Sequence, residues 1–216
     1  MAETLRVTEI FRSIQGEGTR AGRPCTFVRL TGCGLRCAWC DTAYAFTGGE
    51  DRPLEAVLAQ VAESGTDLVC VTGGEPLEQP AALALIARLC DAGAEVVVET
   101  GGHVDIAAVD PRAVRIVDLK CPGSRMAKQN RWENLPHLRA RDEVKLVIAD
   151  RADYEWARDR IAEHALAQRV GAVLLSPVHG ALPPEQLAEW MLADRVAARL
   201  QIQLHRYLWP EVERGV

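Results

Sequence analysis

Through most of this sequence, short apolar runs rich in β-branched residues alternate with longer stretches of helical periodicity. Thr26 to Leu30, Leu68 to Thr72, Glu95 to Glu99, Val114 to Leu119, Val144 to Ile148, Ala172 to Leu175 and Gln201 to Leu204 are predicted strands. Pro53 to Glu63, Pro80 to Asp91, Ala152 to Ala165 and Pro184 to Ala198 are predicted helices, three of them opening at a proline whose fixed φ suits a first helical turn. Strands joined by crossover helices pair in parallel, and a parallel sheet is buried on both faces, so Val96-Val97-Val98 has no need to alternate. About six core strands are too few for a closed eight-stranded barrel, and some crossovers are short, with about fourteen residues between Glu99 and Val114. The expectation is an α/β fold, a partial (incomplete) parallel β/α barrel with incomplete helical cover.

At 216 residues, 48% hydrophobic and 25% charged, the chain can bury a sizeable core and reads as a single domain, 1–216. Its net charge of −5 offers no basic field, so nucleic acid is not expected as a direct partner. No apolar run approaches the ~18 to 20 residues of a membrane span. Met1 to Ile10 carries Glu3, Arg6 and Glu9 and has no hydrophobic leader, so the cytoplasm is the expected compartment. Seven cysteines in a reducing compartment argue for metal or catalytic chemistry over disulfides.

Cys33, Cys37 and Cys40 form Cys-x3-Cys-x2-Cys in one short loop containing glycine. Zinc normally closes a tetrahedron of four protein ligands, and no fourth Cys or His follows at finger spacing. An iron-sulfur cubane held by three thiolates leaves one iron open to a small chelating ligand. A zinc site completed by a distant Cys25, Cys70 or His is the alternative. Cys90, Cys121 and the two just named read as small buried hydrophobes. The loops Thr31 to Asp51, Thr72 to Gln79, Thr100 to His103 and Lys120 to Arg131 each follow a predicted strand, and in parallel α/β folds such loops converge into a site. Gln15-Gly16-Glu17-Gly18 reads as a glycine turn or as an amide and a carboxylate offered to a ligand. Arg29, ending an apolar strand, needs a carboxylate from a ligand or from the chain itself.

The three-cysteine loop, followed after a further strand by Thr72-Gly73-Gly74-Glu75-Pro76, resembles the radical S-adenosylmethionine superfamily. Ile14-Gln15-Gly16-Glu17-Gly18, Glu99-Thr100-Gly101-Gly102, Glu143-Val144-Lys145, Leu175-Ser176-Pro177 and Gln203-Leu204-His205-Arg206-Tyr207 extend the likeness over nearly the whole chain. Within that superfamily the chain resembles the 7-carboxy-7-deazaguanine synthase family, lyases of queuosine and deazapurine biosynthesis, a tRNA modification pathway. The resemblance implies a radical ring contraction of 6-carboxy-5,6,7,8-tetrahydropterin with release of ammonia. It implies a [4Fe-4S] cluster on Cys33, Cys37 and Cys40, S-adenosyl-L-methionine as cofactor, and Mg2+ on Thr42. Substrate contacts fall to Ile14, Gln15, Gly16, Glu17, Arg29, Thr72 and His205, with His205 expected at the end of the last strand. Cofactor contacts fall to Trp39, Asp41, Gly73, Gly74, Glu75, Asp118, Leu119, Lys120, Ser176, Pro177, Val178 and His179. No side chain is expected to act as a catalyst in its own right, since the cofactor carries the chemistry.

The implied partners are the small pterin substrate, an electron donor such as flavodoxin or ferredoxin, and a second copy in a homodimer. Gly101 stands where the family usually has Asn, and Asp118-Leu119-Lys120 replaces a commoner Ser-Pro-Lys. A glycyl-radical-enzyme activase is the nearest rival, and a zinc-stabilised binding module without catalysis is a rival of another class. The Glu211 to Val216 segment, past Pro210, is expected either to fold over the site or to be disordered.

Overall fold

The computed structural model describes residues 3–216. The chain opens with β1 (Thr4–Ile14), a strand absent from the sequence prediction, and continues into β2 (Pro24–Leu30) as its antiparallel partner. Leu5 and Val7 are buried on the core side, but the register shifts between Val7 and Glu9 and breaks the two-residue period that would have revealed the strand. A short β3 (Glu50–Pro53) pairs with the outer edge of β1, running from the end of the expected loop Thr31 to Asp51 into the first residue of the predicted helix Pro53 to Glu63.

The next five strands are the predicted ones. Strands β4 (Leu68–Gly73), β5 (Glu95–Thr100), β6 (Val114–Asp118), β7 (Glu143–Ile148) and β8 (Ala172–Pro177) follow in parallel, and a two-residue β9 (Arg199–Leu200) completes the row. The sheet order is β3-β1-β2-β4-β5-β6-β7-β8-β9, so the parallel strands lie side by side in chain order and the sheet stays open. The prediction of a strand over Gln201 to Leu204 is corrected. The chain leaves the sheet after Leu200 and forms the short helix Leu204–Leu208, because the Gly16 carbonyl accepts from the Leu204 N–H and the Gln201 side chain accepts from the Gly18 N–H. His205 therefore sits on a helix and not at a strand end.

The main helices are α1 (Leu54–Ser64), α2 (Ala81–Asp91), α3 (Arg151–Glu163), the single turn α4 (Leu166–Arg169), α5 (Pro184–Asp194) and α6, the Leu204–Leu208 segment just described. Side chains on each interior strand divide by parity. Val69, Val71, Val96 and Val98 join α1 and α2 in one core, while Val144, Leu146, Val173 and Leu175 join α3 and α5 in another. Leu68, Cys70 and Val97 point to the opposite face, where they meet Cys25, Phe27, Val114 and Ile116 without any helix residue among them. That face is the interior of the partial barrel, with an apolar floor.

Between β5 and β6 no helix intervenes, and a buried arginine takes over its structural work. Arg115 is fully buried with Asp142 beside it, pairs with that carboxylate through its Nε and Nη2 groups, and donates to the Ile106 carbonyl at 3.1 Å. A buried pair of this kind costs about 3 to 5 kcal/mol to break from one side. Among the described residues no helix is long and apolar enough to cross a membrane.

Candidate active site

Above the apolar floor, at the carboxyl ends of the parallel strands, lies a cavity of about 540 Å³. This is an ordinary size for a small-ligand site. The loops expected to converge do so through backbone contacts. The Gly74 N–H donates to the Leu30 carbonyl at 3.1 Å and the Glu75 N–H to the Gly32 carbonyl at 2.7 Å. The Ala38 N–H donates to the Ser124 carbonyl at 3.1 Å, tying in the segment after β6.

Closeness at this junction depends on glycine. A Cβ on Gly73 would stand 2.2 Å from the Leu30 carbonyl oxygen, and one on Gly74 2.0 Å from the Gly32 oxygen and 2.8 Å from the Cys33 Cβ. Gly73 also has φ +148, which side chains rarely adopt. The sulfur loop is thus pressed against the end of β4 with no space for a side chain between.

Cys33, Cys37 and Cys40 are free, partly exposed, and line the cavity. They are not drawn together into a closed three-donor set among the described residues. Burial pushes all three thiols above their ordinary pKa, and the Lys120 ammonium opposes this at each. The other four cysteines are buried in the core clusters, Cys25 with its pKa pushed up to about 12 by burial, so Cys25 and Cys70 are not placed to complete a zinc site. Three soft donors on one loop facing a ligand-sized space fit an iron-sulfur cluster with an open position.

Glu75 has a different place from the one its motif implies. It is fully buried, does not line the cavity, and accepts from the Thr100 hydroxyl at 2.9 Å, the Gly101 N–H at 2.8 Å and the Leu77 N–H at 3.1 Å. Its carboxylate fastens the loops after β4 and β5 together, leaving the backbone of Gly73 and Gly74 on the cavity wall. His103 extends the clamp. Its Nε2 is 2.9 Å from Glu78 Oε1, and the same oxygen accepts from the Gly34 N–H at 2.8 Å, next to Cys33. The ring also fills space beside Gly101, where an added Cβ would meet His103 Nδ1 at 3.2 Å.

The rest of the cavity is polar and assembled from distant parts of the chain. Gln15 is buried and donates to Glu99 at 3.4 Å, while Glu99 also accepts from the Thr72 hydroxyl at 3.0 Å. Glu17 accepts from Lys145 Nζ at 2.7 Å, from Gln201 at 3.0 Å and from Gln203 at 2.8 Å. Two carboxylate oxygens offer about four acceptor sites, so roughly one remains for a ligand. Arg29 pairs with an internal acid, Glu9, through Nε at 2.8 Å, and Tyr44 donates to the same Glu9 oxygen. Its two Nη groups have no hydrogen-bond partner among the described residues, and Arg29 remains on the cavity wall.

Charges alternate along this wall. Lys145 lies between Glu17 and Asp118, and Asp118 Oδ2 accepts from Lys120 Nζ at 2.9 Å. Asp118 Oδ1 is buried without a partner. Burial alone would lower both lysines, but the neighbouring carboxylates win and hold them above the ordinary value. His205 lies against Gly16, and burial lowers its pKa against the pull of Glu17 and Asp41. Thr42 donates to Asp41 at 2.9 Å, and both line the cavity.

Ile14 and Gly16 complete the predicted substrate residues on this wall. Trp39 and Leu119 do not line it. Ser176 is buried and Val178 half-buried, while Pro177 and His179 line a second cavity of about 290 Å³ with Gln203 and Tyr207. Gln203 stands between the two, since its amide also reaches Asp41. Glu99, Lys145, Tyr44 and Gln201 were not picked out as site residues. For Glu99 and Lys145 the sign was the one that singled out Arg29, a charge in an otherwise apolar interior strand. Val212, Glu213 and Val216 line the cavity as well, so the last segment folds over the site.

An open, mostly parallel sheet with three free thiols and a glycine clamp above its strand ends marks a radical S-adenosylmethionine enzyme, and the Radical SAM superfamily model matches residues 27–118. Enzymes of this class carry a [4Fe-4S] cluster and S-adenosylmethionine and draw an electron from a reductant. A 7-carboxy-7-deazaguanine synthase of Koribacter versatilis is 42% identical, over 98% of this chain and 100% of the relative. One of Chlorobaculum tepidum is 43% identical, over 98% and 97%. The crystal structure of QueE from Escherichia coli superposes with a TM-score of 0.76 at 25% identity, covering 93% of this chain and 94% of that one. The chain belongs to the 7-carboxy-7-deazaguanine synthase family.

Proposed function

We infer that this chain, working as one domain over 1–216, converts 6-carboxy-5,6,7,8-tetrahydropterin to 7-carboxy-7-deazaguanine with release of ammonia. The observation that carries this reading is that Gln15, Glu17, Arg29, Glu99, Lys145 and His205 line the same cavity as the three thiols. An activase would need a groove for a protein loop, whereas this cavity is polar, ligand-sized and partly roofed by the chain's own last residues.

When bound, the cluster and S-adenosylmethionine supply hydrogen-abstracting one-electron chemistry. The chain supplies placement and exclusion of water. Cys33, Cys37 and Cys40 would hold the cluster, and the Gly73-Gly74 backbone, Asp118 and Lys120 line the same cavity. Glu99 and Glu17 present acceptors to the N–H groups of an aminopyrimidinone edge, and Gln15 presents an amide. The free Nη groups of Arg29 suit a substrate carboxylate. Thr42 and Asp41 are hard oxygen donors of the kind Mg2+ takes alongside water and substrate. Asp118 Oδ1, an acceptor without a partner, awaits a donor from a ligand.

The donor fits a flavodoxin or ferredoxin, and the enzyme's place is the cytoplasm. Exposed Leu200, Tyr207, Leu208 and Val212 support a homodimer. The test is to incubate anaerobically reconstituted protein with the pterin, S-adenosylmethionine, reductant and Mg2+, and to look for carboxydeazaguanine by mass. Its formation is expected. Cleavage of S-adenosylmethionine without any deazaguanine product would reject the substrate.

A further inference from the structure

The chain carries 30 acidic residues against 25 basic ones, yet the segment packed against the sulfur loop carries basic side chains and no acidic one. In the loop 33–40 the only charged residue is Arg36. The segment 121–132, which abuts that loop, contains Arg125, Lys128 and Arg131 and no acid. Two backbone contacts fix the abutment, from the Ala38 N–H to the Ser124 carbonyl and from the Arg36 N–H to Met126 Sδ at 3.4 Å. Arg125 lies in sequence between these two contact points.

Arg131 is offset by Asp105, but Arg125 and Lys128 are exposed and pair with no carboxylate among the described residues. Arg36 bonds only backbone carbonyls and lies over the Phe46 ring. Arg125 also has φ +65, a left-handed conformation at which glycine would be the unstrained residue. Strain kept for the sake of a side chain, at a solvent-facing position, directs attention to what the side chain meets.

We propose that Arg36, Arg125 and Lys128 form the docking surface for an acidic one-electron donor protein. This deepens the functional reading above, which requires such a donor. Exposed cations on the sulfur loop and on the segment packed against it bring an acidic partner near the thiols, and steering of this kind raises association rates most at low salt. The step is a single electron passing from donor to cluster, oxidising one and reducing the other, with no bond made or broken. Two unpaired cations and a third held against its own loop are too few to track a phosphate backbone, so an acidic protein is favoured over nucleic acid.

The test compares two reductants, a reduced acidic flavodoxin and the small cationic methyl viologen radical, on reconstituted wild type and on Arg125→Glu/Lys128→Glu. With flavodoxin, the second-order rate of cluster reduction in the variant is expected to fall about tenfold or more at low salt. The gap closes near 0.5 M salt, where the screening length shrinks to about 4 Å. With viologen the two proteins match. Arg125→Gly gives an independent arm, raising the melting midpoint of the cluster-free protein by about 2 °C while slowing flavodoxin reduction. Equal flavodoxin rates in wild type and the double variant would overturn the proposal. So would a loss shared by viologen, which marks damage to the cluster loop, or a wild type that viologen reduces and flavodoxin does not. Failure of the functional reading shows separately, as a viologen-reduced protein that makes no deazaguanine.

Discussion

The two sides of the cavity are built by different means. The sulfur side is local and made of backbone, with Cys33, Cys37, Cys40, Gly73 and Gly74 supplied by two loops that meet where a Cβ would not fit. The polar side is made of side chains from remote parts of the chain, and the three groups that hold Glu17 lie 128, 184 and 186 residues away in sequence. The first side owes its shape to short-range geometry and the second to the completed fold. They should therefore fail separately when mutated, the first through the cluster and the second through the substrate.

The largest effect expected on this comparison is all-or-none. Cys37→Ala removes one of three thiolates from a site with no spare, and the absorbance of the reconstituted cluster should vanish. Cys90→Ala, on the core face of α2, should leave that absorbance intact. A cluster that survives the first change and not the second would reverse the ligand assignment.

A smaller effect separates the clamp from the ligands it supports. His103→Ala takes a partner from Glu78 and so loosens the Gly34 N–H contact beside Cys33. Loss of one such support costs about 1 kcal/mol, or roughly fivefold. Release of iron to a chelator and hydrogen exchange at Gly34 should both speed up by about that factor, with recovery in His103→Gln. Unchanged exchange at Gly34 would assign His103 to packing alone.

The smallest effect lies on the polar side and depends on pH. Burial first, and then the charge of Glu17, push the Glu99 carboxyl above its ordinary 4.5. The folded protein therefore keeps a proton that the unfolded chain releases, so stability falls as pH rises from 4.5 through the raised value. Glu99→Gln removes that dependence. Its stability should gain on wild type as pH rises above 4.5. Parallel pH profiles would show that Glu99 titrates normally.

The same contrast sets what was legible in the sequence. The six parallel strands from β2 to β8 were readable because each is a short apolar run bounded by turn residues, and the sulfur loop because its spacing is contiguous. β1 was hidden by the shift at Val7 and Glu9, which interrupts its alternation. Gln201 to Leu204 alternates like a strand, yet its groups are captured by Gly16, Gly18 and Glu17, a long-range event with no local signal. Glu75 was assigned to the cofactor on motif alone, whereas burial and three donor groups turn its carboxylate into the protein. The path of the last six residues over the cavity likewise depends on where a finished fold leaves them.

The central claim is that the polar side holds the pterin independently of the sulfur side, and Glu17→Ala tests it most directly. Pterin affinity and release of 5′-deoxyadenosine under strong reductant are measured together in wild type and variant. One lost charge-assisted contact costs about 1.5 to 3 kcal/mol, so pterin binding should weaken roughly ten- to a hundredfold while S-adenosylmethionine is still cleaved slowly. Equal pterin affinity in the two proteins, or loss of cleavage in step with loss of binding, would contradict the account.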